Sequence, residues 1–586
     1  MKRKTKIICT LGPATDDPEI LRELMQSGMN TARVNFSHGT HEVQLARIQE
    51  VKKLRDELGL PIPLLLDTKG PEIRTGDFED GKVELVQKQK FTLTPRDIMG
   101  NSQETHITYA GLYKDVKKGD RVLIDDGLIE MVVTAIRGED VICEVLNGGP
   151  VSNHKSINVP DVNLTMDYMS QKDIDDILFG IENEFDYIAA SFVRNAFDVL
   201  EIKRILEQNG GSDIQVIAKI ENRQGVDNID QILKVSDGIM VARGDMGVEI
   251  PFEELPAIQK TLIEKCYKAR KRVITATQML ESMTHNPRPT RAETSDVANA
   301  VYDGTSAVML SGETAVGKYP VRALKTMSQI CIKAEEDINY VKRFESRHLD
   351  TVMDVTNAIS HSACTTAHDL GAAAIVTVSK SGFTPRVISG YRPKAPIIAG
   401  CLSDKVYRQL ALSWGVTPIL TEQKDSTDVL FEHVVEEALK QTDIIQKGDV
   451  VVITGGAPVG VKGTTNVLKV QLVGDILISG VGTSSKSVCG TVCIANNPAE
   501  ALKNFSDGDI LVIPETSNDI VPILRKASAI ITEQPGLSSH AAVVGLTLDI
   551  PVICGAVGAT KILKNVTTIT IDGARGQVYA GVAKIL

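Results

Sequence analysis

Short apolar runs, each followed by a stretch of helical periodicity, recur from the start of the chain to about Leu324. Eight of them read as strands: TKIICTLG, TARVNFS, IPLLLDT, FDYIAASFV, IQVIAKIEN, GIMVARGD, RVITATQ and AVMLSGET. A brief apolar run bounded by turn residues suits a strand buried on both faces, and recurrence at i, i+3 and i+4 suits the helix that covers it. Eight such pairs predict a (β/α)8 barrel, whose chemistry sits on the loops leaving the C-terminal ends of the strands. One crossover is anomalous, because about a hundred residues separate the third strand, ending at Asp67, from the fourth, near Phe185. From Pro71 to about Met166 this insert alternates with period two, as in RVLIDDGLIEMVVTAIRGEDVICEV with its Asp126-Gly127 turn, and predicts a small β-domain placed as a lid.

Beyond a helical stretch around residues 320 to 370, a second α/β unit begins with GAAAIVTVSKSGFTPRVISGYRP and ends near Val473, after DVVVITGG. In it Ser379, Lys380, Ser381, Gly382, Phe383 and Thr384 leave an apolar strand and enter a helical segment, so hydroxyls, backbone amides and a lysine meet at a helix start, a candidate phosphate cradle. From about Gly474 another α/β segment runs through DGDILVIPE, KASAIITE and DIPVICG to DGARGQVYAG. The expected domains are 1–70 and 167–340 for the barrel, 71–166 for the lid, 341–473 for the second α/β unit and 474–586 for the last. There is no low-complexity linker and no tandem repeat.

A chain of 586 residues and 63.4 kDa exceeds what one core can serve, which agrees with several domains. Hydrophobic content of 42%, charged content of 24% and a mean hydropathy of -0.02 describe a globular protein. No apolar run approaches bilayer length, and MKRKTKIICTLG lacks the apolar core of a secretory signal, so the expectation is a cytoplasmic protein without membrane contact. Nine cysteines without a CxxC pair suggest neither disulfides nor zinc, and Cys489 and Cys493 read as small core residues. A net charge of -11 and 4% aromatics argue against nucleic-acid binding.

Charged and polar residues gather at the ends of the predicted strands. Arg33, Asn35, Ser37 and His38 follow the second; Asp67, Thr68, Lys69, Glu72 and Arg74 the third; Lys219 and Glu221 the fifth; Arg243, Gly244 and Asp245 the sixth. Thr277 follows the seventh, and Ser311 and Glu313 the eighth. One such residue would commonly cap a helix or pair with a neighbour, but six strands aiming polar groups at one rim is what a barrel active site requires. Lys219 lies between apolar residues, where a buried ammonium needs an anion. Glu221 and Asp245 suit Mg2+, a hard ion that takes oxygen ligands, with the Gly244 amide bare beside them. Asn35, Ser37, Asp67 and Thr68, neutral oxygens with one carboxylate, suggest either a larger monovalent cation or a plain hydrogen-bond network.

The motifs TLGPA, ARVNFSHG, LLLDTKGPEIRTG, KIEN, VARGDMGVEIP, ATQMLESM, PTRAETSDVANAV and AVMLSGETA together resemble the pyruvate kinase family from the N-terminus to about residue 473. That resemblance implies an α/β fold, a (β/α)8 barrel with an inserted small β-barrel lid and an α/β regulatory domain. It implies transfer of the phosphoryl group of phosphoenolpyruvate to ADP, giving ATP and pyruvate. It implies Lys219 and Arg33 at the phosphoryl group, Glu221 and Asp245 on Mg2+, and Gly244, Asp245 and Thr277 on the substrate carboxylate. Asn35, Ser37, Asp67 and Thr68 match the family's K+ ligands, with Glu72 accompanying K+ dependence. Asn35, His38, Arg74 and Lys155 match nucleotide-binding positions. Thr277, with Ser311 and Glu313, is implied in protonating enolpyruvate. Ser379 to Thr384 match the loop for a phosphorylated effector, and the family implies a homotetramer.

The last segment is similar to the phosphohistidine swivelling domain of phosphoenolpyruvate-utilising enzymes. TEQPGLSSHAAVVGLTLDIPVICG places His540 at the phosphorylatable position, although Pro535 stands where glycine is usual and no nucleotide-grasp partner is present. A structural or oligomer-supporting role is preferred. Two other readings stay open: a metal-dependent, pyruvate-forming aldolase on a similar barrel, and an inactive metabolite-sensing scaffold.

Overall fold

The computed structural model of the protein describes residues 3–346, 354–457, 465–474, 476–564 and 567–581. Eight parallel strands close into a barrel: β1 (Lys6–Thr10), β2 (Thr31–Asn35), β3 (Leu64–Asp67), β4 (Tyr187–Ala190), β5 (Gln215–Ile220), β6 (Gly238–Ala242), β7 (Arg272–Ala276) and β8 (Ala307–Leu310). Their side chains alternate between two cores. Ile8, Leu65, Tyr187, Ile217, Met240 and Ile274 fill the interior, while Ile7, Leu64, Leu66, Val216 and Val273 pack outward against the helices. Because both faces are dry, the strands read in sequence as continuous apolar runs. The register places Arg33 beside Leu65 and Asn35 beside Asp67, which brings the polar ends of β2 and β3 level at one rim.

The insert leaves this rim at Gly70, whose φ of +74° suits glycine and whose amide donates to Asp173 Oδ1 at 3.0 Å. It folds into a seven-stranded sheet and a separate two-stranded pair around Phe78, Phe91, Leu93, Met131 and Val141. The strands Arg121–Ile124 and Ile129–Arg137 form a hairpin whose turn puts Asp125, Asp126 and Gly127 at positive φ, so the Asp-Gly signal lies in the turn it predicts. At the opposite, N-terminal ends of the barrel strands, residues 381–393 and 403–418 pack with the barrel in one compact unit. Arg408 pairs with Asp186 at 3.0 Å, Arg272 donates to Ser413 Oγ at 3.0 Å, and Arg392 donates to Ser306 Oγ at 2.7 Å.

The second compact unit comprises residues 354–380, 394–402 and 419–586. Its first sheet has Ala374–Ser379 between two parallel neighbours, Ile397–Cys401 and Val450–Gly456, with Thr465–Leu472 antiparallel to the last. Its second sheet carries the parallel strands Ser487–Ile494, Ile510–Ile513, Ala529–Thr532 and Val552–Cys554, with Thr568–Asp572 antiparallel to the first of these. Cys493 is buried there, but Cys489 is exposed, contrary to the expectation that both are core residues. The two share a face of one strand, and only the Cys493 end is covered by Ala501, Leu511 and their neighbours. No helix among the described residues is long and apolar enough to cross a membrane.

Candidate active site

At the C-terminal rim of the barrel, Asp67 from β3 sits between two cations. Arg33 Nε donates to Asp67 Oδ2 at 2.7 Å and Lys219 Nζ donates to Asp67 Oδ1 at 3.0 Å. Arg33 Nη1 also donates to Thr10 Oγ1 at 2.9 Å, which ties β2 to β1. Lys219 donates to Ser191 Oγ at 2.7 Å and lies 3.1 Å from Glu221 Oε1. Each of these six residues, on or just after five strands, is at most 9% exposed, so the charges can only be satisfied by one another or by a bound molecule.

The electrostatics follow from that crowding. Burial opposes the Asp67 carboxylate, but Arg33 and Lys219 outweigh it and hold its pKa below the usual value. Burial likewise opposes the Lys219 ammonium, and Asp67 and then Glu221 hold its pKa above that of a free lysine. Glu221 goes the other way: burial pushes it up to about 8 despite Lys219, with Asp245 adding to the rise. Its Oε2 accepts the Phe192 amide at 2.6 Å, whereas the buried Oε1 accepts no hydrogen bond. A carboxylate oxygen that accepts no hydrogen bond and feels the charge of a second carboxylate, Asp245, is a fitting place for a hard cation. Among the described residues no group of three or more His, Cys, Asp or Glu is arranged to hold a metal. A cation on Glu221 and Asp245 would therefore complete its shell with water and substrate oxygens.

Arg243, Gly244 and Asp245 open a short rim helix, Arg243–Glu249. The Gly244 amide is not bare: it donates to Thr277 Oγ1 at 2.7 Å. An amide in the first turn of a helix has no intrahelical acceptor, and the hydroxyl leaving β7 is the nearest one. Thr277 has φ +66°, an uncommon conformation for a β-branched residue, and Arg243 holds that turn by donating to Thr277 O at 2.6 Å while pairing with Asp296 at the same distance. Beside it, Glu313 accepts the Leu280 amide at 3.0 Å and the Ser311 amide at 2.7 Å; the Ser311 hydroxyl is buried without a hydrogen bond.

Asn35 and Ser37 lie on the loop after β2. Asn35 Oδ1 accepts the Ser37 amide at 3.0 Å, and the loop is braced by Gln44 donating to Asn35 O and His38 O and by Lys172 donating to Phe36 O at 2.9 Å. Thr68 accepts the Ser191 amide on its hydroxyl at 3.1 Å. From the insert, Arg74 donates to Glu72 Oε2 at 2.9 Å and to His154 O at 2.8 Å, and Lys155 pairs with Asp125 at 2.8 Å. A cavity of about 350 Å³ joins these two sides, lined by His38, Glu72, Arg74, Lys155, Asp245 and Glu249 among others.

Elsewhere, Ser379 ends its strand and Gly382, at φ +71°, precedes the helix Phe383–Gly390, so Ser379 to Thr384 form the predicted strand-to-helix turn. His540 is the first residue of the helix His540–Leu548, capped by Ser539. Its Nδ1 is 2.8 Å from Thr516 Oγ1 and its Nε2 is 3.0 Å from Asn518 Oδ1, so both ring nitrogens are engaged.

Three residues that the sequence did not single out, Ser191 and Glu249 at the rim and Asn158 on the insert, stand at or beside the site. Ser191 follows β4 at the position other strands fill with polar residues, and that register was the signal available for it. Asn158 and Glu249 gave no such signal, because their contact joins the insert to the barrel.

The family model described as the barrel domain of pyruvate kinase matches residues 2–324, and that of its alpha/beta domain matches 357–471. The mobile domain of PEP-utilising enzymes matches 505–576. Over 100% of both chains the protein is 51% identical to a pyruvate kinase of Bacillus licheniformis and 49% identical to one of Geobacillus stearothermophilus. Among solved structures it is similar to a pyruvate kinase of Cryptosporidium parvum, 40% identical with a TM-score of 0.77, over 80% of this chain and 96% of that one.

Proposed function

The chain belongs to the pyruvate kinase family, a phosphotransferase acting on phosphoenolpyruvate and ADP, and on that premise we propose that the rim described above carries the reaction with Mg2+ on Glu221 and Asp245. The observation that carries this reading is the buried Glu221 Oε1, which accepts no hydrogen bond and has the Lys219 ammonium 3.1 Å away. When bound, Mg2+ would neutralise phosphate charge at these two carboxylates.

The rest falls to the chain's own groups. An oxygen of the ADP β-phosphate bonds to phosphorus as the bond from phosphorus to the enol oxygen breaks, and the enolate left behind takes a proton at C3 to become pyruvate. Such a transfer asks for positioning and positive charge. Lys219, fixed by Asp67 and Ser191, faces the moving phosphoryl group, with Arg33 beside it. The turn Gly244–Asp245 and the Thr277 hydroxyl hold the substrate carboxylate, and Asn35, His38, Arg74 and Lys155 hold the nucleotide. Thr277, with Ser311 and Glu313, leads to the protonation step.

Asn35, Ser37, Asp67 and Thr68 form the K+ site. Its neutral oxygens suit a large monovalent ion, and Glu72 on Arg74 accompanies that dependence. Ser379 to Thr384 bind a phosphorylated effector that activates the enzyme, a homotetramer with the domain limits given above. His540 is structural and not a phosphocarrier, a reading supported by the engagement of both its nitrogens.

A coupled assay of pyruvate release tests this. Turnover is expected only with ADP, Mg2+ and K+ together. Full activity after Mg2+ is chelated overturns the Glu221–Asp245 assignment, and full activity without K+ overturns the K+ site. Acid-labile label from phosphoenolpyruvate on the intact chain, absent from His540→Ala, overturns the structural reading of His540.

A further inference from the structure

Asn158 is the last residue of the insert strand Ser156–Asn158, which pairs antiparallel with Ile73–Arg74. These two strands, neighbours in the seven-stranded sheet, carry Arg74, with Lys155 immediately before the second. Glu249 is the last residue of the rim helix Arg243–Glu249, whose first turn holds Gly244 and Asp245. Asn158 Nδ2 donates to Glu249 Oε1 at 2.7 Å, so the nucleotide side of the cavity is bonded to the far end of the element that carries the substrate side.

We propose that the Asn158–Glu249 hydrogen bond transmits the position of the lid to the Gly244–Asp245 turn, which makes Glu249 a positioning residue for phosphoryl transfer. This rests on the substrate and nucleotide assignment proposed above.

Three observations support the lever. A seven-residue helix spans only about 10 Å, so a displacement at Glu249 tilts the helix and reorients the amides of its first turn, Gly244 and Asp245. Its other end is clamped by Arg243 on Asp296 and Thr277 O, which leaves rotation about that clamp as the available motion. The insert also approaches the helix a second time, since a Cβ at Gly127 would lie 3.9 Å from Val248 Cγ1. Glu249 is costly where it stands: burial pushes its pKa up to about 7, with Asp161 and Asp245 adding to the rise and only the Asn158 amide opposing it. A glutamate held at such a cost, with a lid amide as its partner, is explained by the coupling.

The test uses the full chain and a double-mutant cycle of Glu249→Ala and Asn158→Ala, with Glu249→Gln, which keeps an acceptor for the Asn158 amide. Steady-state kcat and the KM for ADP are measured, together with Kd for phosphoenolpyruvate by calorimetry with Mg2+ and no ADP. Each alanine variant is expected to lose roughly tenfold in kcat/KM for ADP, a coupling of ordinary size. The double variant should be no worse than the worse single. Glu249→Gln should stay within about twofold of the parent, and the Kd for phosphoenolpyruvate should rise in the alanine variants but not in Glu249→Gln. Additive losses, an equally impaired Glu249→Gln, or normal kcat/KM in the alanine variants overturn the proposal. Should Glu249→Ala fold poorly, Asn158→Ala beside Glu249→Gln decides the same question. Asp245→Asn separates the readings: if it loses turnover while Glu249→Ala does not, the latch fails and the site stands; if Asp245→Asn stays fully active, the site assignment fails.

Discussion

Lys219 and Asp67, 152 residues apart in the chain, meet at 3.0 Å at the barrel rim, and the same carboxylate holds Arg33 on its other oxygen. One buried anion thus keeps two cations close, an arrangement that like-charge repulsion would otherwise break.

Lys219→Met removes the cation that the proposed mechanism sets beside the phosphoryl group and keeps much of the side-chain volume. Loss of a preorganised charge at the transition state costs on the order of 100- to 1,000-fold in kcat or more. Single-turnover phosphoryl transfer measures it, and Mg2+ binding by calorimetry should be retained. Near-parental turnover would remove Lys219 from the mechanism.

Ser191→Ala deletes one of the acceptors that aim the Lys219 ammonium while leaving its ion pairs in place. A lost hydrogen bond to a charged group is worth about 1.5–3 kcal/mol, so kcat should fall roughly ten- to a hundredfold with a smaller change in the KM for phosphoenolpyruvate. A change confined to thermal stability would make Ser191 a packing residue only.

Gly70→Ala strains the entrance to the lid. The position has φ +74°, and an added Cβ would lie 2.8 Å from the Ser191 Cβ. The variant should be destabilised by about 1–3 kcal/mol in denaturant unfolding. It should also lose activity, because the clash falls on Ser191. An unaltered unfolding midpoint would contradict the geometry.

Lys6 begins β1 with its ammonium donating to Val416 O at 2.7 Å. Burial, with Arg3 adding and Glu335 opposing, lowers its pKa to about 7. Between about pH 7 and the free-lysine value the unfolded chain binds a proton that the folded chain does not. This position's contribution to stability therefore rises with pH across that window, by at most about 1.4 kcal/mol per unit. Lys6→Met should accordingly gain most over the parent at and below pH 7, and the gain should shrink toward pH 10. A difference in unfolding free energy that is flat with pH would refute it.

The eight barrel strands, the helices between them and the β-rich insert were legible in the sequence because each is set by near neighbours: continuous apolar runs for strands buried on both faces, period two for the insert sheet, an Asp-Gly signal in its turn. The rim residues were legible too, since a barrel sends every strand end to one side, and so Lys219, Glu221, Asp245 and Thr277 could be named together. Their partners were not. That the Gly244 amide turns to Thr277, that Ser191 holds Lys219, that Cys489 stays uncovered while Cys493 is buried, and that residues 403–418 pack with the barrel all depend on groups distant in the chain. Local pattern decides which way a backbone runs and which face it hides. Which donor finds which acceptor is decided when closure of the barrel and folding back of the insert exclude water, since a buried polar group then takes whatever partner the packing brings within 3 Å.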